Sequence, residues 1–202
     1  MVTSINSLVS HMGAARVMRY ESERKFTWHL DMPIDDVKRE LWRAICEAVY
    51  EKGGGAVGAL PQYAQVAEWL ADNEGKGLML YGDCGLGKTL IARQVLPKLI
   101  AKFHNRYYSS SNVDAYEMGE RLNDLLRRRI VSIDDIGTET ISAWKDMAFG
   151  LIVDSMEKHN GLLIVTTNLT GPQMLDRYGE RVCDRLKGLC RMIKFEGQSF
   201  RK

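Results

Sequence analysis

The chain has 202 residues, 45% of them hydrophobic and 27% charged, with a formal net charge of +2. This is the composition of a folded domain with a short appendage; it excludes a disordered or collagen-like chain, and the charge is too small to predict nucleic-acid binding by itself. The four cysteines form no C-x-x-C pair and no apolar run approaches the roughly 18 residues of a membrane helix, so we expect a cytoplasmic protein without disulfides, a zinc site or membrane contact.

Residues 1–60 are predicted to form an N-terminal helical segment, separate from a domain that spans 61–202. Apolar residues at three- and four-residue steps predict a helix over Ile34–Glu51. The three consecutive glycines from Gly53 onward end this pattern and mark the boundary. Basic and acidic residues balance in the segment, so we expect it to pack on the domain or bind a partner rather than contact phosphate.

From residue 61 onward, helix and strand patterns alternate. The predicted helices are Pro61–Asn73, Val113–Arg129 and Ile141–His159, and the predicted strands are Gly77–Tyr81, Arg106–Ser110, Ile130–Asp134, Leu162–Thr167 and Arg191–Phe195. A further helical pattern over Leu90–Phe103 contains Pro97, so this helix should end near Leu96 or kink. Such alternation predicts an α/β fold in which a mostly parallel sheet lies between helices.

A glycine-rich segment follows the first predicted strand and precedes a helical pattern. It matches G-x-x-x-x-G-K-[ST], in which glycines let successive N–H groups face phosphate oxygens at a helix N-terminus. Lys88 is predicted to reach the β- and γ-phosphates, and the Thr89 hydroxyl to ligate Mg²⁺. The predicted nucleotide-binding residues are Gly82, Asp83, Cys84, Gly85, Leu86, Gly87, Lys88, Thr89 and Leu90.

Polar side chains end two of the other predicted strands. Asp134 is expected to hold the Mg²⁺ shell, and Asp135 to orient or deprotonate the attacking water. Asn168 follows the fourth strand, and its carboxamide can bond the γ-phosphate and this water if that strand lies between the other two. The alternatives are that the aspartates only begin a polar turn and that Asn168 only caps the next one.

These motifs together resemble the AAA+ ATPases, and within them the DnaC/DnaI-type replicative helicase loaders. The resemblance covers about residues 61–201 and includes Ile133-Asp134-Asp135-Ile136-Gly137, Val165-Thr166-Thr167-Asn168-Leu169 and the stretch Tyr178 to Leu186, which is similar to the family's "GER…DRL" segment. It implies a P-loop NTPase with a five-stranded AAA+ sheet, ATP and Mg²⁺ as ligands, and ATP sites completed by self-association. It also implies two partners, a replicative ring helicase and weakly bound single-stranded DNA. The short chain suggests a phage or mobile-element member.

Three arginines take their expected roles from this resemblance. Arg185 is the candidate arginine finger for a neighbouring subunit's γ-phosphate, Arg181 is the alternative, and Arg201 resembles the family's sensor-2 arginine, which acts on its own subunit's nucleotide. A guanidinium at the γ-phosphate stabilises transition-state charge and makes hydrolysis depend on assembly. The plain alternative is that Arg181 and Arg185 pair with Glu180 and Asp184 on a solvated helix face.

The chain departs from the family pattern in three ways. Asp135 stands where the loaders usually carry Glu, which is one methylene longer, so we expect slow water activation. Only one helix fits between the second and third predicted strands, so the extra helix of initiator-type AAA+ proteins is expected to be short or missing. We expect no separate helical lid domain after Arg201.

Two basic clusters are candidate contacts for single-stranded DNA. Residues 177–202 hold eight Lys and Arg against three acids, and Arg127–Arg129 form a triplet. Some of these arginines equally face nucleotide or end a helix, so the DNA-binding residues stay unassigned.

Three functions follow from these observations. The first is an ATP-dependent loader that delivers a ring helicase to single-stranded DNA during replication. The second is an IstB-type transposition helper, which shares the ATPase core and acts on target DNA. The third is a P-loop nucleoside or nucleotide kinase, against which the Asp134-Asp135 pair and Asn168 argue. The motifs favour the loader.

Overall fold

The computed structural model describes residues 26–53, 58–104, 111–139 and 143–200, without the side chains of 111 and 143–146. Its helices are α1 (Ile34–Glu51), α2 (Pro61–Ala71), α3 (Lys88–Leu90, a π-helical turn Ile91–Val95, and Leu96–His104), α4 (Leu122–Leu125), α5 (Ala143–Lys158) and α6 (Gly171–Leu189), with a 3₁₀ turn at Ala115–Glu117. Its strands are β1 (Gly77–Gly82), β2 (Ser111–Asp114), β3 (Ile130–Ile136), β4 (Leu162–Thr167) and β5 (Cys190–Phe195).

The five strands form one sheet in the order β2-β3-β4-β1-β5, and every neighbouring pair is parallel. All carboxyl ends therefore lie along one edge, which is where open α/β sheets bind their ligands. β4 lies between β1 and β3, as the predicted role of Asn168 requires. The predicted α/β fold, with a parallel sheet between helices, is confirmed.

The sheet separates two hydrophobic clusters, because alternate side chains of each strand point to opposite faces. On one face, Leu78, Leu80 and Ile164 pack with apolar residues of α1, α2 and α3. On the other, Val131 and Val165 pack with α4, α5 and α6. Burial on both faces explains why the strands are apolar throughout rather than alternating.

Helix α1 packs on the body of the domain. Its inner face, Val37, Leu41, Ile45 and Ala48, is buried in the same cluster as α2 and α3. The Trp42 ring lies 6.0 Å from the Tyr63 ring of α2, measured between centroids. The helix has the predicted bounds.

Helix α3 continues through Pro97 to His104, so of the two expected outcomes, an end near Leu96 or a kink, the end is wrong. The π-helical turn Ile91–Val95 directly precedes the proline. Proline lacks an N–H and clashes with the carbonyl four residues earlier, and a local widening of the helix is one way to accommodate it.

The segment before β3 differs from the prediction. The predicted strand Arg106–Ser110 lies outside the described residues, and β2 is found at Ser111–Asp114. The predicted helix Val113–Arg129 is wrong: the chain forms the end of β2, a 3₁₀ turn and the single turn α4. The apolar positions are buried as the pattern required, but Gly119 and the edge-strand pairing favour turns over one continuous helix.

Within the described ranges, no helix has both the length and the apolar character that crossing a membrane requires.

Candidate nucleotide-binding site

The glycine-rich loop joins β1 to α3 with backbone angles that only glycine adopts easily. Gly82 has a φ of 115°, and a Cβ at this position would lie 2.3 Å from the carbonyl oxygen of Phe195. Gly87 has a φ of 85° and directly precedes the first turn of α3. The loop therefore curls at the carboxyl edge of the sheet and ends at a helix N-terminus, which is the arrangement that binds phosphate.

Lys88 lies inside the curve of this loop. Its side chain is 6% exposed, and Nζ donates hydrogen bonds to the carbonyl oxygens of Gly82 (2.9 Å) and Asp83 (2.6 Å). The ammonium group is thus held by main-chain atoms where a bound phosphate would lie. Thr89, the next residue, is exposed at the start of α3.

The carboxyl end of β3 presents both predicted aspartates, in different environments. Asp134 is 4% exposed, and its Oδ1 accepts a hydrogen bond of 2.6 Å from the Thr166 hydroxyl of β4. Asp135 has a φ of 56°, in the left-handed region, and its N–H donates to the same hydroxyl at 2.8 Å. The pairing of β3 with β4 shifts register between Ile133 and Ile136. This bulge turns the two neighbouring aspartates in different directions.

Asn168 and Asp135 are brought together across the sheet. The Asn168 amide Nδ2 donates to Asp135 Oδ1 at 2.7 Å. The turn that leads into α6 is capped by Thr170, which forms a capping box with Gln173. The helix therefore has its own cap, and the Asn168 amide bonds Asp135 instead; the contact of Asn168 with a γ-phosphate stays a prediction.

Sequence reasoning missed a charged pair beside Asp134. Arg93, in the π-helical turn of α3, bonds Asp114 Oδ1 at 2.5 Å and lies 3.9 Å from Asp134 Oδ2. The hydrogen bond that Arg93 donates to Asp114 raises the pKa of Arg93, so the guanidinium stays charged. Asp114 and Asp134 are register partners on β2 and β3. No sequence signal indicated this pair, because Asp114 lies in the stretch Val113–Arg129 that was predicted as a helix.

The oxygen donors of this edge fit a magnesium ion. Asp134 supplies a carboxylate and Thr89 a hydroxyl, which are hard oxygen ligands of the kind Mg²⁺ takes together with water and substrate phosphates. Asp134 Oδ1 is engaged by Thr166, and Oδ2 is beyond hydrogen-bond distance of Arg93.

Comparison with solved structures gives helicase loaders and replication initiators. The DnaC helicase loader has a TM-score of 0.61 at 19% identity, over 77% of this chain and 98% of that one. DnaI has a TM-score of 0.59 at 22% identity, over 82% and 95%. AMPPCP-bound DnaA from Aquifex aeolicus has a TM-score of 0.56 at 21% identity, over 70% and 48%. No family model matches, and no curated protein matches. The chain therefore shares its fold with the DnaC and DnaI helicase loaders.

The end of β5 and the residues that follow it lie across the P-loop, the glycine-rich loop from Gly82 to Thr89. The Asp83 N–H donates to the Phe195 carbonyl at 2.9 Å, and the Phe200 N–H donates to the Gly85 carbonyl at 3.0 Å. The Gly197 N–H reaches Asp83 Oδ2 at 3.3 Å. Arg201, the expected sensor-2 residue, lies outside the described residues.

The two candidate finger arginines lie on α6, beyond a break at Gly179 (φ 79°, ψ 165°). Arg185 is 25% exposed and pairs with Asp154 and with Glu157, the latter at 3.1 Å. Arg181 is 72% exposed and lies 3.4 Å from Asp154. The carboxylates that these arginines contact belong to α5, not to α6 itself as the plain alternative had it.

A buried ionic cluster joins the first half of α6 to the loop after β3. The Glu139 carboxylate is fully buried; it accepts hydrogen bonds from the Gly137 N–H at 2.7 Å and from the Tyr178 hydroxyl. Arg177 Nη2 donates to the Glu139 carbonyl at 2.5 Å. Burial, reinforced by the bond to Glu139, raises the pKa of Tyr178. The cluster anchors the helix next to Gly179.

The triplet Arg127–Arg129 lies at the start of β3, and therefore at the sheet edge opposite the phosphate loop. Arg128 pairs with Asp124 at 3.0 Å, and the Arg129 guanidinium lies over the Phe26 ring, 5.9 Å from its centroid. Arg127 and Arg128 are exposed.

Proposed function

We propose that this protein is an ATP-dependent loader that delivers a replicative ring helicase to single-stranded DNA. The observation that carries the proposal is that Lys88, which follows β1, lies at the same edge of the sheet as Asp134, Asp135 and Asn168, which end the adjacent strands β3 and β4. This arrangement occurs in a fold that matches nearly the whole length of DnaC and DnaI. ATP as the nucleotide is supported by AMPPCP, an ATP analogue, in the DnaA structures.

In the proposed mechanism, different residues bind the phosphates, hold the metal ion and activate the attacking water. Lys88 and the N–H groups of the P-loop bind the phosphates, while Thr89 and Asp134 hold Mg²⁺. The metal supplies charge neutralisation at the β- and γ-oxygens. Asp135 orients the attacking water and takes its proton. Asn168 donates a hydrogen bond to Asp135 and also contacts the γ-phosphate, so it links the phosphate to this base.

We infer slow turnover from the length of Asp135. An aspartate reaches one methylene less far than the glutamate usual in the loaders, and its carboxylate is already bonded to Asn168. Proton transfer requires hydrogen-bond reach between base and water, so a short base lowers the rate. The protein would then act mainly as a switch between ATP-bound and free states.

An arginine of α6, Arg185 or Arg181, is proposed to complete the ATP site of a neighbouring subunit, and Arg201 to contact its own nucleotide. Arg181 is the more exposed of the α6 pair, and Arg185 must exchange Asp154 and Glu157 for a phosphate. Such an exchange would make hydrolysis depend on assembly.

The segment 1–60 is proposed to hold the helicase. The inner face of α1 is occupied by the domain, so the partner would contact the outer face. There Arg39 pairs along the helix with Asp36, and Arg43 with Glu47. Exposed pairs of this kind are weak and can be exchanged for pairs with a partner.

The test is affinity capture from host lysate with ATP, comparing the native chain with Lys88→Ala and identifying the bound proteins by mass spectrometry. Lys98→Ala is the matched control, because Lys98 lies on the same helix and pairs only with the exposed Glu51 among the described residues. We expect the replicative helicase with the native chain and Lys98→Ala, and a changed yield with Lys88→Ala. Recovery of a transposase instead, or of DNA without helicase, would overturn the loader proposal.

A further inference from the structure

A single buried hydroxyl connects both site aspartates. Thr166 is 1% exposed, in the middle of the sheet, and its Oγ1 contacts Asp134 Oδ1 at 2.6 Å and the Asp135 N–H at 2.8 Å. A hydroxyl has one proton to donate, and the N–H already occupies an acceptor lone pair. The hydroxyl therefore donates its proton to Asp134 Oδ1.

For Asp134 this bond selects one carboxylate oxygen. Oδ1 is held by Thr166, while Oδ2 lies 3.9 Å from Arg93 Nη1, beyond hydrogen-bond distance. The carboxylate is thus fixed in rotation, with Oδ2 as the oxygen left for another ligand. A fixed ligand loses less entropy when it binds a metal than one that must first be ordered.

For Asp135 the same hydroxyl fixes the backbone. A φ of 56° is unusual for a residue other than glycine and needs support from its surroundings. The bond from the Asp135 N–H to Thr166 supplies that support at the bulge, and the Asp135 side chain then accepts from Asn168.

We propose that Thr166 is a positioning residue that holds the metal-binding and water-activating aspartates in their separate orientations. This inference rests on the proposed function, because it takes the two roles of Asp134 and Asp135 from there. Thr166 itself does not touch the nucleotide; it acts through the two aspartates.

The next residue provides a matched control. Thr167 is fully buried, and its hydroxyl donates to the Ile136 carbonyl at 2.7 Å and accepts from the Leu169 N–H at 3.0 Å. Thr167→Val therefore removes a hydroxyl of the same chemistry from the same strand, without touching either carboxylate.

The experiment measures binding of a fluorescent ATP analogue by the full chain as a function of Mg²⁺, and again in EDTA. For Thr166→Val we expect the half-saturating Mg²⁺ concentration to rise about three- to tenfold, the range for one lost hydrogen bond, with unchanged binding in EDTA. Thr166→Ser, which keeps the hydroxyl, should restore the native Mg²⁺ dependence, and Thr167→Val should retain it while lowering Tm.

Equal Mg²⁺ dependence in Thr166→Val and Thr167→Val would overturn the inference, as would failure of Thr166→Ser to restore it. If Thr166→Val does not fold, Thr166→Ala is measured in its place. If the native chain binds no nucleotide at any Mg²⁺ concentration, the proposed function is wrong. The proposed role of Thr166 is then wrong as well, because it depends on that function.

Discussion

The nucleotide edge of the sheet and the arginines of α6 are held in different ways. At the nucleotide edge, Lys88 bonds main-chain carbonyls and Asp135 is fixed through its own N–H, in positions set by strand order. On α6, Arg181 and Arg185 contact side-chain carboxylates of α5. The first region is held through main-chain atoms, whereas the second is held by ion pairs that another charge can replace.

The largest effect is expected from Asp135→Asn. An amide cannot take a proton from water, so steady-state phosphate release at saturating Mg-ATP should fall about 10²–10⁴-fold, the usual contribution of a general base. Binding of the nucleotide should change little, because Asp135 does not hold the phosphates. Asp124→Asn is the control, since Asp124 pairs with Arg128 at the opposite edge. Turnover within threefold of the native rate would remove Asp135 from the mechanism.

Asp135→Glu tests whether the length of this side chain limits the rate. If the short side chain limits water activation, the longer acid should raise turnover severalfold, with nucleotide affinity unchanged. Phosphate release and binding of a fluorescent ATP analogue measure the two quantities. A rate that falls instead would mean that the bond between Asp135 and Asn168, rather than the reach of the acid, sets the rate.

The next largest loss of turnover is expected from replacing the α6 arginines, which belong to the second of the two regions. Loss of an arginine that acts on a neighbour's nucleotide should lower turnover about 10³-fold, the lower end of the range for such residues. Mixing that variant with Lys88→Ala should restore part of the activity, because some interfaces then combine an intact P-loop with an intact arginine. Arg185→Ala and Arg181→Ala are measured separately.

Arg191→Ala is the control for this experiment, because Arg191 pairs with Glu68 of α2, away from the P-loop. Recovery on mixing with only one of the two α6 variants identifies the arginine that acts between subunits. If both variants keep the native rate, neither residue completes a neighbouring site.

The contrast between the two regions also explains what the sequence could reveal. The P-loop is one continuous motif and so is visible in the sequence. The bounds of α1 and β4 follow from their apolar patterns and were predicted correctly. Thr166 and the Arg93–Asp114 pair join elements that are adjacent only through strand order, which no local pattern encodes. The helix predicted over 113–129 failed because spacing alone does not distinguish a helix from buried turns at a sheet edge.

Asp154→Asn is expected to have a smaller effect. It removes the acid that contacts both Arg181 and Arg185 and leaves Glu157 paired with Arg185 only. Without this acid the two arginines are free to reach a neighbour, so turnover should rise a few-fold at low protein concentration, where assembly limits the rate. The free energy of unfolding should fall by about 0–1 kcal/mol, as for other partly exposed ion pairs. The measurement is turnover against protein concentration, together with Tm.

Glu157→Gln is the matched control for that variant, since it leaves both contacts of Asp154 intact. A fall in turnover at every concentration with Asp154→Asn, but not with Glu157→Gln, would mean that Asp154 aligns the arginines for their neighbour rather than withholding them.

The smallest effect is expected far from both regions, at the opposite edge of the sheet. If Arg127 and Arg128 contact single-stranded DNA, replacing both by Gln should reduce the slope of log affinity against log salt by about 1.4, since each phosphate contact contributes about 0.7. Arg129 is left intact, because its guanidinium covers Phe26 and its loss would alter packing. Fluorescence anisotropy of a labelled oligonucleotide at several salt concentrations measures the slope. An unchanged slope would place any DNA contact elsewhere, with the basic residues of 177–202 as the next to be neutralised.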